Sequence, residues 1–238
     1  MKSGIHFHFK QFTITHAQST HKVGTDGVLL GAWARVADAG SILDIGTGSG
    51  LIALMLAQRT PSNVLIDAVE IEHDNAAQAK LNIQQSPWKT RVTIYDTAIQ
   101  QFDPGKKYDL IVSNPPYFIN SHLPPGQKRS RARHTNNSLT FQELAEAAVR
   151  LLQTDGTLCI ILPYEEGLLF TGMAHRLGLH LRRECSFKAR KQKPIERLLL
   201  EFSRSPGDIH KSELVLYEDQ TEWSKAYKDL TRDFYLKL

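Results

Sequence analysis

Short apolar runs recur along the first half of the chain and are separated by stretches of helical periodicity. Four of these runs contain five or six residues each, which is typical of buried strands, and they span 41–45, 64–69, 91–95 and 108–112. Helical patterns follow the first two runs, at 51–58 and 74–85. This alternation of strand and helix predicts an α/β fold with a parallel sheet.

The second half of the chain continues this pattern and then changes it. It predicts a helix over 141–152 with Thr140 as its cap, a strand over 157–162 and a helix over 165–177. Two strand patterns then follow without a helix between them, at 179–187 and 195–202, which fits an antiparallel finish to the sheet. An edge strand over 214–217 and an amphipathic helix over 223–234 are predicted last.

The first 37 residues precede this pattern. The apolar residues there are Ile5, Phe7, Phe9, Phe12 and Ile14. The first three alternate with polar residues and the last two follow in a shifted phase, which predicts a short hairpin with a turn near Lys10. A helix over 25–36 follows, and Thr25 or Asp26 can cap it. We therefore predict a single domain over 1–238, in which a hairpin and a helix (1–37) precede the core.

Composition narrows the class of protein. Of the 238 residues, 41% are apolar and 23% charged, as in ordinary soluble globular proteins. No apolar run approaches the roughly 20 residues of a membrane span, and the first 12 residues do not resemble a secretory signal. Cys159 lies in an apolar run and is predicted to be a buried thiol, which fits a reducing cytoplasm. The ten histidines show no zinc-ligand spacing, so no metal is expected.

Polar residues stand where the four predicted strands end. They are Asp44, Glu70, Asp96 and Asn114. Open α/β sheets bind ligands at the carboxyl ends of their strands, so four such residues in succession predict one binding edge. An acid after the second strand can bind both hydroxyls of a ribose, and an acid after the third can bind the exocyclic amine of adenine.

A glycine loop joins the first strand to the next helix. Gly46, Gly48 and Gly50 have the spacing G-x-G-x-G, which lets backbone N–H groups approach a ligand at the start of the helix. The nicotinamide pattern G-x-G-x-x-G is not met, because Leu51 stands where its third glycine would be. The carboxylate of Asp44 beside this loop suits a cationic ligand that carries a sulfonium and an ammonium group.

The fourth strand ends in Asn114-Pro115-Pro116-Tyr117. Two prolines cannot continue a central strand and they fix the backbone rigidly. The side chain of Asn114 and the carbonyl of Pro115 can each accept one N–H of a planar NH2 group, and Tyr117 can stack on the ring that bears it. These four residues are the predicted catalytic residues.

Together these residues resemble the class I S-adenosylmethionine-dependent methyltransferases. The resemblance implies a Rossmann-like fold, with a seven-stranded, mostly parallel sheet and helices on both faces. It implies that S-adenosyl-L-methionine binds to Asp44, Gly46, Gly48, Gly50, Glu70 and Asp96. The Asn-Pro-Pro-Tyr form is shared by adenine N6-methyltransferases and glutamine-amide methyltransferases.

A narrower resemblance rests on the run from Lys22 to Trp33, on the Phe-rich start and on residues 114–118. These segments are similar to the bacterial tRNA1(Val) adenine N6-methyltransferases, which modify the adenine just 3′ of the anticodon. The resemblance implies that Lys22, Thr25, Asp26 and Asn114 also contribute to cofactor binding. It covers the chain from about Phe7 to about Phe202.

Basic residues are concentrated in two segments of a chain whose net charge is +4. The first comprises Lys128, Arg129, Arg131 and Arg133, with His134 beside them; the second comprises Lys188, Arg190, Lys191 and Lys193. Neither segment contains an acidic residue, and both are expected at the same sheet edge as Asn114. Two basic loops beside one pocket favour RNA as the partner, and an unpaired loop adenine costs little to extrude.

The predicted mechanism needs positioning and no dedicated base. Two acceptors draw the exocyclic nitrogen toward sp3 geometry, so that its lone pair faces the methyl group, and the proton leaves late to Asn114 or water. Two alternatives stay open: a protein glutamine N5-methyltransferase, which shares residues 114–117, and a non-catalytic RNA-binding relic of the fold. The basic loops disfavour the first, and the intact cofactor positions disfavour the second.

Overall fold

The structure is a computed structural model that describes residues 5–16, 23–116, 139–219 and 221–237. Its strands are β1 (His6–His8), β2 (Thr13–Thr15), β3 (Ser41–Ile45), β4 (Leu65–Glu70), β5 (Val92–Asp96), β6 (Tyr108–Ser113), β7 (Leu152–Pro163), β8 (His180–Lys188), β9 (Arg197–Ser203) and β10 (His210–Val215). Its helices are α1 (Thr25–Trp33), α2 (Leu51–Arg59), α3 (His73–Gln84), α4 (Phe141–Leu151), α5 (Tyr164–Arg176) and α6 (Lys225–Thr231).

Within the described residues, eight strands form the central sheet, in the order β10-β8-β9-β7-β6-β3-β4-β5. Strand β9 is antiparallel to both of its neighbours, whereas the other pairs of adjacent strands are parallel. The prediction of seven strands is therefore wrong by one. The additional strand is β10, which pairs with β8 from His210 to Val215; the edge strand expected over 214–217 overlaps only its last two residues. Its first four residues are exposed, so the apolar signal that marks a strand is missing there.

Helices cover both faces of this sheet, as predicted. Adjacent residues of β3 face opposite sides, because side chains alternate along a strand. Ile42 packs into a core cluster with α1 and α2, and Leu43 packs into a second cluster with α4 and α5. Both residues are fully buried.

The predicted N-terminal hairpin is confirmed, with Phe7 opposite Ile14 in an antiparallel pair. Phe9 stacks on Phe12 at 4.6 Å between ring centroids, and the backbone N–H of Lys10 donates to the carbonyl of Phe234 at 2.8 Å. The start and the end of the chain are thus joined on the α1–α2 side of the sheet.

The structure confirms one of the two predicted helix caps and contradicts the other. Thr140 caps α4 and forms a capping box with Glu143, as its sequence position indicates. The cap of α1 is instead Gly24, with no side-chain hydrogen bond, so the prediction of Thr25 or Asp26 is wrong. The carboxylate of Asp26 accepts from Nε of Arg197 at 2.8 Å, and this charge-assisted bond is stronger than a neutral cap bond.

Candidate active site

Strand register brings the predicted site residues to one edge of the sheet. Ile45 pairs with Ser113 on one side and with Val69 on the other, and Glu70 pairs with Asp96. The glycine loop starts directly after Ile45, and Asn114 directly follows Ser113. The carboxyl ends of four parallel strands therefore present their polar groups at nearly the same level.

The glycine loop is an open cradle at the start of α2. Gly48 has a φ of +57° and Gly50 has a φ of +82°. Residues other than glycine rarely adopt this left-handed backbone conformation. A Cβ atom added at Gly48 would meet no atom within 4 Å, so this part of the loop borders open space. Its backbone can approach a ligand as the sequence pattern implies.

Asp44 is the most deeply buried acid of the site. Burial raises the pKa of its carboxyl to about 7, against the opposing effects of the Thr47 hydroxyl and the Ala53 backbone N–H. Thr47 donates to Oδ2 at 2.6 Å, whereas Oδ1 has no hydrogen-bond partner among the described residues. An unsatisfied buried acceptor costs about 1–3 kcal/mol, and a ligand ammonium, directly or through an ordered water, would satisfy it.

Glu70 ties the glycine loop to the loop after β4. The residue is 6% exposed, and its carboxylate accepts from the N–H of Gly48 at 2.8 Å and from that of Glu72 at 3.0 Å. A carboxylate has about four acceptor positions, so both oxygens keep capacity for the hydroxyls of a ribose. The bonds fix the orientation that such binding needs.

Asp96 lies farther along the same edge and is more open, with 26% of its side chain exposed. Its Oδ2 is 2.5 Å from Nδ1 of His73, the first residue of α3. A ligand amine that binds Asp96 would share this oxygen with His73 or use Oδ1. His73 did not stand out in the sequence, because a single exposed histidine carries no motif.

The corner after β6 is anchored to β3. The hydroxyl of Ser113 donates to the carbonyl of Ile45 at 2.8 Å and is fully buried. The strand ends at Ser113, as the prolines predict. Asn114 is half-buried, Pro115 is buried and Pro116 is exposed; Tyr117 lies outside the described residues.

The structure brings the start of α1 toward this edge through a long-range ion pair. Arg197, which binds Asp26, is the first residue of β9 and pairs with Pro163 at the carboxyl end of β7. Thr25 is exposed, and Lys22 lies outside the described residues. Sequence reasoning missed Arg197, since 171 residues separate it from its partner.

The second basic segment emerges at the same edge, because β8 runs parallel to β6 and ends at Lys188. Lys188 forms an ion pair with Glu213 of β10 at 2.6 Å, and the guanidinium of Arg190 lies 5.7 Å from the ring centroid of Tyr217. Lys191 and Lys193 are exposed. The first basic segment lies outside the described residues, namely Lys128, Arg129, Arg131, Arg133 and His134.

Within residues 5–16, 23–116, 139–219 and 221–237, no group of three or more His, Cys, Asp or Glu side chains could hold a metal ion. No helix in the same residues has both the length and the apolar character needed to cross a membrane.

Comparison with known proteins assigns the family. The profile described as "Methyltransferase small domain" matches residues 18–169. The chain belongs to this methyltransferase family. Curated relatives include the tRNA1(Val) (adenine(37)-N6)-methyltransferase of Escherichia fergusonii, 44% identical over 97% of this chain and 94% of its own. The protein of the same name from Photorhabdus laumondii is 45% identical over 97% and 95%.

Solved structures support the fold of this methyltransferase. A protein of Agrobacterium tumefaciens described as a predicted O-methyltransferase superposes with a TM-score of 0.67 at 14% identity, over 88% of this chain and 96% of its own. A glycopeptide N-methyltransferase in complex with S-adenosyl-L-methionine gives 0.57 at 12% identity, over 80% and 98%. The predicted Rossmann-like class I methyltransferase fold is therefore confirmed.

Proposed function

We propose that this protein transfers a methyl group from S-adenosyl-L-methionine to N6 of an adenine in the anticodon loop of tRNA, the adenine at position 37 of tRNA1(Val). The observation that carries the proposal is the 44% identity over 97% of the chain to a relative with that name. Strand register supports the proposal, because Asn114 follows Ser113 and is therefore level with the start of the glycine loop.

The cofactor fits the observed cradle. The unpaired oxygen of Asp44 suits the ammonium of the methionine part, Glu70 suits the ribose hydroxyls, and Asp96 suits the adenine amine. We assign supporting contacts to the glycine loop, through Gly46, Gly48 and Gly50, and to Lys22, Thr25, Asp26 and Asn114. The bound cofactor supplies a methyl carbon attached to a positively charged sulfur.

The chain positions the acceptor nitrogen. Asn114 Oδ1 and the carbonyl of Pro115 accept the two N–H groups, Pro116 holds the corner rigid, and Tyr117 stacks on the base. The bond from N6 to the methyl carbon forms as the bond from that carbon to sulfur breaks. N6 then loses one proton, late, to Asn114 or water, while the bonding electron pair stays on sulfur. Orientation of this kind contributes up to about 7–11 kcal/mol in ideal cases.

Both basic segments are assigned to contacts with the tRNA backbone. We also propose that residues 1–238 act as one methyltransferase domain. The protein would work in the cytoplasm, where tRNA is found. The RNA-binding residues are Lys128, Arg129, Arg131, Arg133, Lys188, Arg190, Lys191 and Lys193. No metal or obligate protein partner enters the proposed reaction.

Transfer of labelled methyl groups tests the proposal. Purified protein and labelled S-adenosyl-L-methionine are incubated with bulk tRNA from a strain lacking this protein or with an extract of its proteins. The tRNA is then digested, and its modified nucleosides are mapped by mass. Label in N6-methyladenosine next to the anticodon is expected. Label in protein alone would support glutamine methylation, and label in neither would support a non-catalytic relic.

A further inference from the structure

A cleft lies beside the Asn114 corner, and apart from the basic residues Lys188 and Lys193 none of its lining residues has been assigned a role. It is an open surface depression with a volume of about 580 Å³. One wall is the β7–α5 corner, with Pro163, Tyr164, Glu165 and Glu166, and the other is the β8–β9 loop, with Lys188, Lys193, Pro194 and Ile195. We call it the β7–α5 cleft.

The cleft is one strand away from the reacting corner. Ser113 pairs with Ile160, so Asn114 is level with the next residue of β7, and Pro163 is two residues beyond that level. With a strand spacing of about 4.8 Å and a rise of about 3.3 Å per residue, the cleft begins about 8 Å from Asn114. A nucleotide next to the methylated adenine would reach it.

Backbone hydrogen bonds hold both walls in place. The N–H of Tyr164 donates to the carbonyl of Glu196 at 3.3 Å and joins the walls at their base. The N–H groups of Leu216 and Tyr217 donate to the carbonyls of Lys188 and Ala189 at 2.9 and 3.0 Å. The segment after β10 therefore fixes the β8–β9 loop, and the cleft is formed before any ligand binds.

The charges in the cleft are divided between its walls. Lys188 is neutralised by Glu213 at 2.6 Å, whereas Lys193 has no carboxylate within ion-pair distance among the described residues. On the opposite wall, Glu165 is exposed and Glu166 is half-buried. A nucleotide matches this division, because its phosphate is anionic and the edge of its base can donate hydrogen bonds.

We infer that the β7–α5 cleft binds the nucleotide adjacent to the methylated adenine. Lys193 binds its phosphate, Tyr164 and Pro194 contact the face of its base, and the carboxylates of Glu165 and Glu166 accept from its exocyclic amino group. Cytosine, adenine and guanine each carry such an amino group, whereas uracil carries none and places a carbonyl oxygen against the carboxylates. Flanking nucleotides set sequence context in other enzymes that act on an extruded base. The inference rests on the proposed function and adds a basis for its specificity.

The test uses RNA stem-loops that present each of the four bases on either side of the target adenine. The full-length protein should methylate loops with cytosine, adenine or guanine in the recognised neighbouring position roughly 5- to 150-fold more efficiently than loops with uracil, in kcat/KM. The substitutions Glu165→Gln and Glu166→Gln, singly and together, should reduce this preference, because the amide can donate to the uracil carbonyl. Tyr164→Ala and Lys193→Ala should raise KM for every loop.

Controls separate the possible failures. Lys89→Ala, an exposed lysine before β5 at the opposite edge of the sheet, should change neither KM nor the base preference. Unchanged affinity for S-adenosyl-L-methionine shows that each variant is folded. Equal activity on all loops by the unaltered protein, or a preference that survives the double Gln substitution, would overturn the cleft assignment. Absence of any RNA methylation by the unaltered protein would instead overturn the proposed function.

Discussion

The binding edge of the sheet has two halves that hold their polar groups differently. In the half formed by β3 and β4, Asp44 and Glu70 are almost completely buried, and Glu70 is fixed by two backbone N–H groups. In the half formed by β7 and β8, Lys193 and Glu165 are exposed. Buried, oriented acids suit one invariant small ligand, whereas exposed, long side chains suit a large polyanion and lose conformational entropy when it binds. Asn114 stands between the two halves.

Asn114→Ala should have the largest effect, because it should impair catalysis and leave cofactor binding almost intact. Because Asn114 orients the reacting nitrogen, the variant should lose at least about 10²-fold in kcat, as when one preorganised catalytic hydrogen bond is removed elsewhere. Affinity for S-adenosyl-L-methionine, measured by calorimetry, should fall by about twofold at most, because Asn114 supplies only one of the many contacts assigned to the cofactor. Asn63→Ala is the matched control, since Asn63 is exposed before β4 at the opposite edge. A large loss of cofactor affinity in Asn114→Ala would contradict its assignment to the acceptor base.

Asp44 makes cofactor binding depend on pH. Its carboxyl must be ionised to bind the ammonium, and its pKa is about 7 in the ligand-free protein. Affinity should therefore rise roughly tenfold between about pH 5.5 and about pH 7, and binding should release a proton. Calorimetry in buffers of different ionisation enthalpy measures both effects.

The same pKa shift has a consequence for stability. The folded chain keeps the Asp44 proton up to about pH 7, whereas an unfolded chain loses it near 3.8. The shift therefore contributes a loss of stability as pH rises between these values. Asp44→Asn should remove both pH dependences and weaken cofactor binding, and Asp38→Asn, at an exposed position, should remove neither. An unaltered pH profile in Asp44→Asn would show that another group titrates.

The affinity of the exposed half of the edge for tRNA should depend on salt concentration. Each phosphate contact contributes about 0.7 to the slope of log affinity against log salt for a single strand. Replacing Lys188, Arg190, Lys191 and Lys193 by Ala should flatten the slope for tRNA by about 2, since the ion pair with Glu213 already engages Lys188. Fluorescence titration with tRNA at several salt concentrations measures this change. A slope that stays the same would place the RNA surface elsewhere.

Glu213→Gln should have the smallest effect. The ion pair of Glu213 with Lys188 lies near the surface, with 44% of the Glu213 side chain exposed, and such pairs contribute about 0–1 kcal/mol. The melting temperature should fall by a few degrees at most, and KM for tRNA should change by no more than about twofold. Glu218→Gln, at an exposed position after β10, provides the comparison. A loss of tRNA binding as large as that of the fourfold variant would show that Glu213 controls the whole loop.

The two halves also differed in how well the sequence predicted them. The strands and the glycine loop followed from local patterns, because buried strands require apolar runs and the loop requires residues with positive φ. The ion pair of Asp26 with Arg197 and that of Lys188 with Glu213 join distant segments, and β10 is largely exposed. Contacts of this kind depend on the folded topology and leave no periodic signal in the chain.

The most direct test of the central claim is a crystal structure of the protein with demethylated cofactor and an anticodon stem-loop. We expect N6 of the target adenine within about 3 Å of Asn114 Oδ1 and of the Pro115 carbonyl oxygen, with its lone pair directed at the cofactor sulfur. An adenine bound away from this corner, or a cofactor bound outside the glycine loop, would contradict the account.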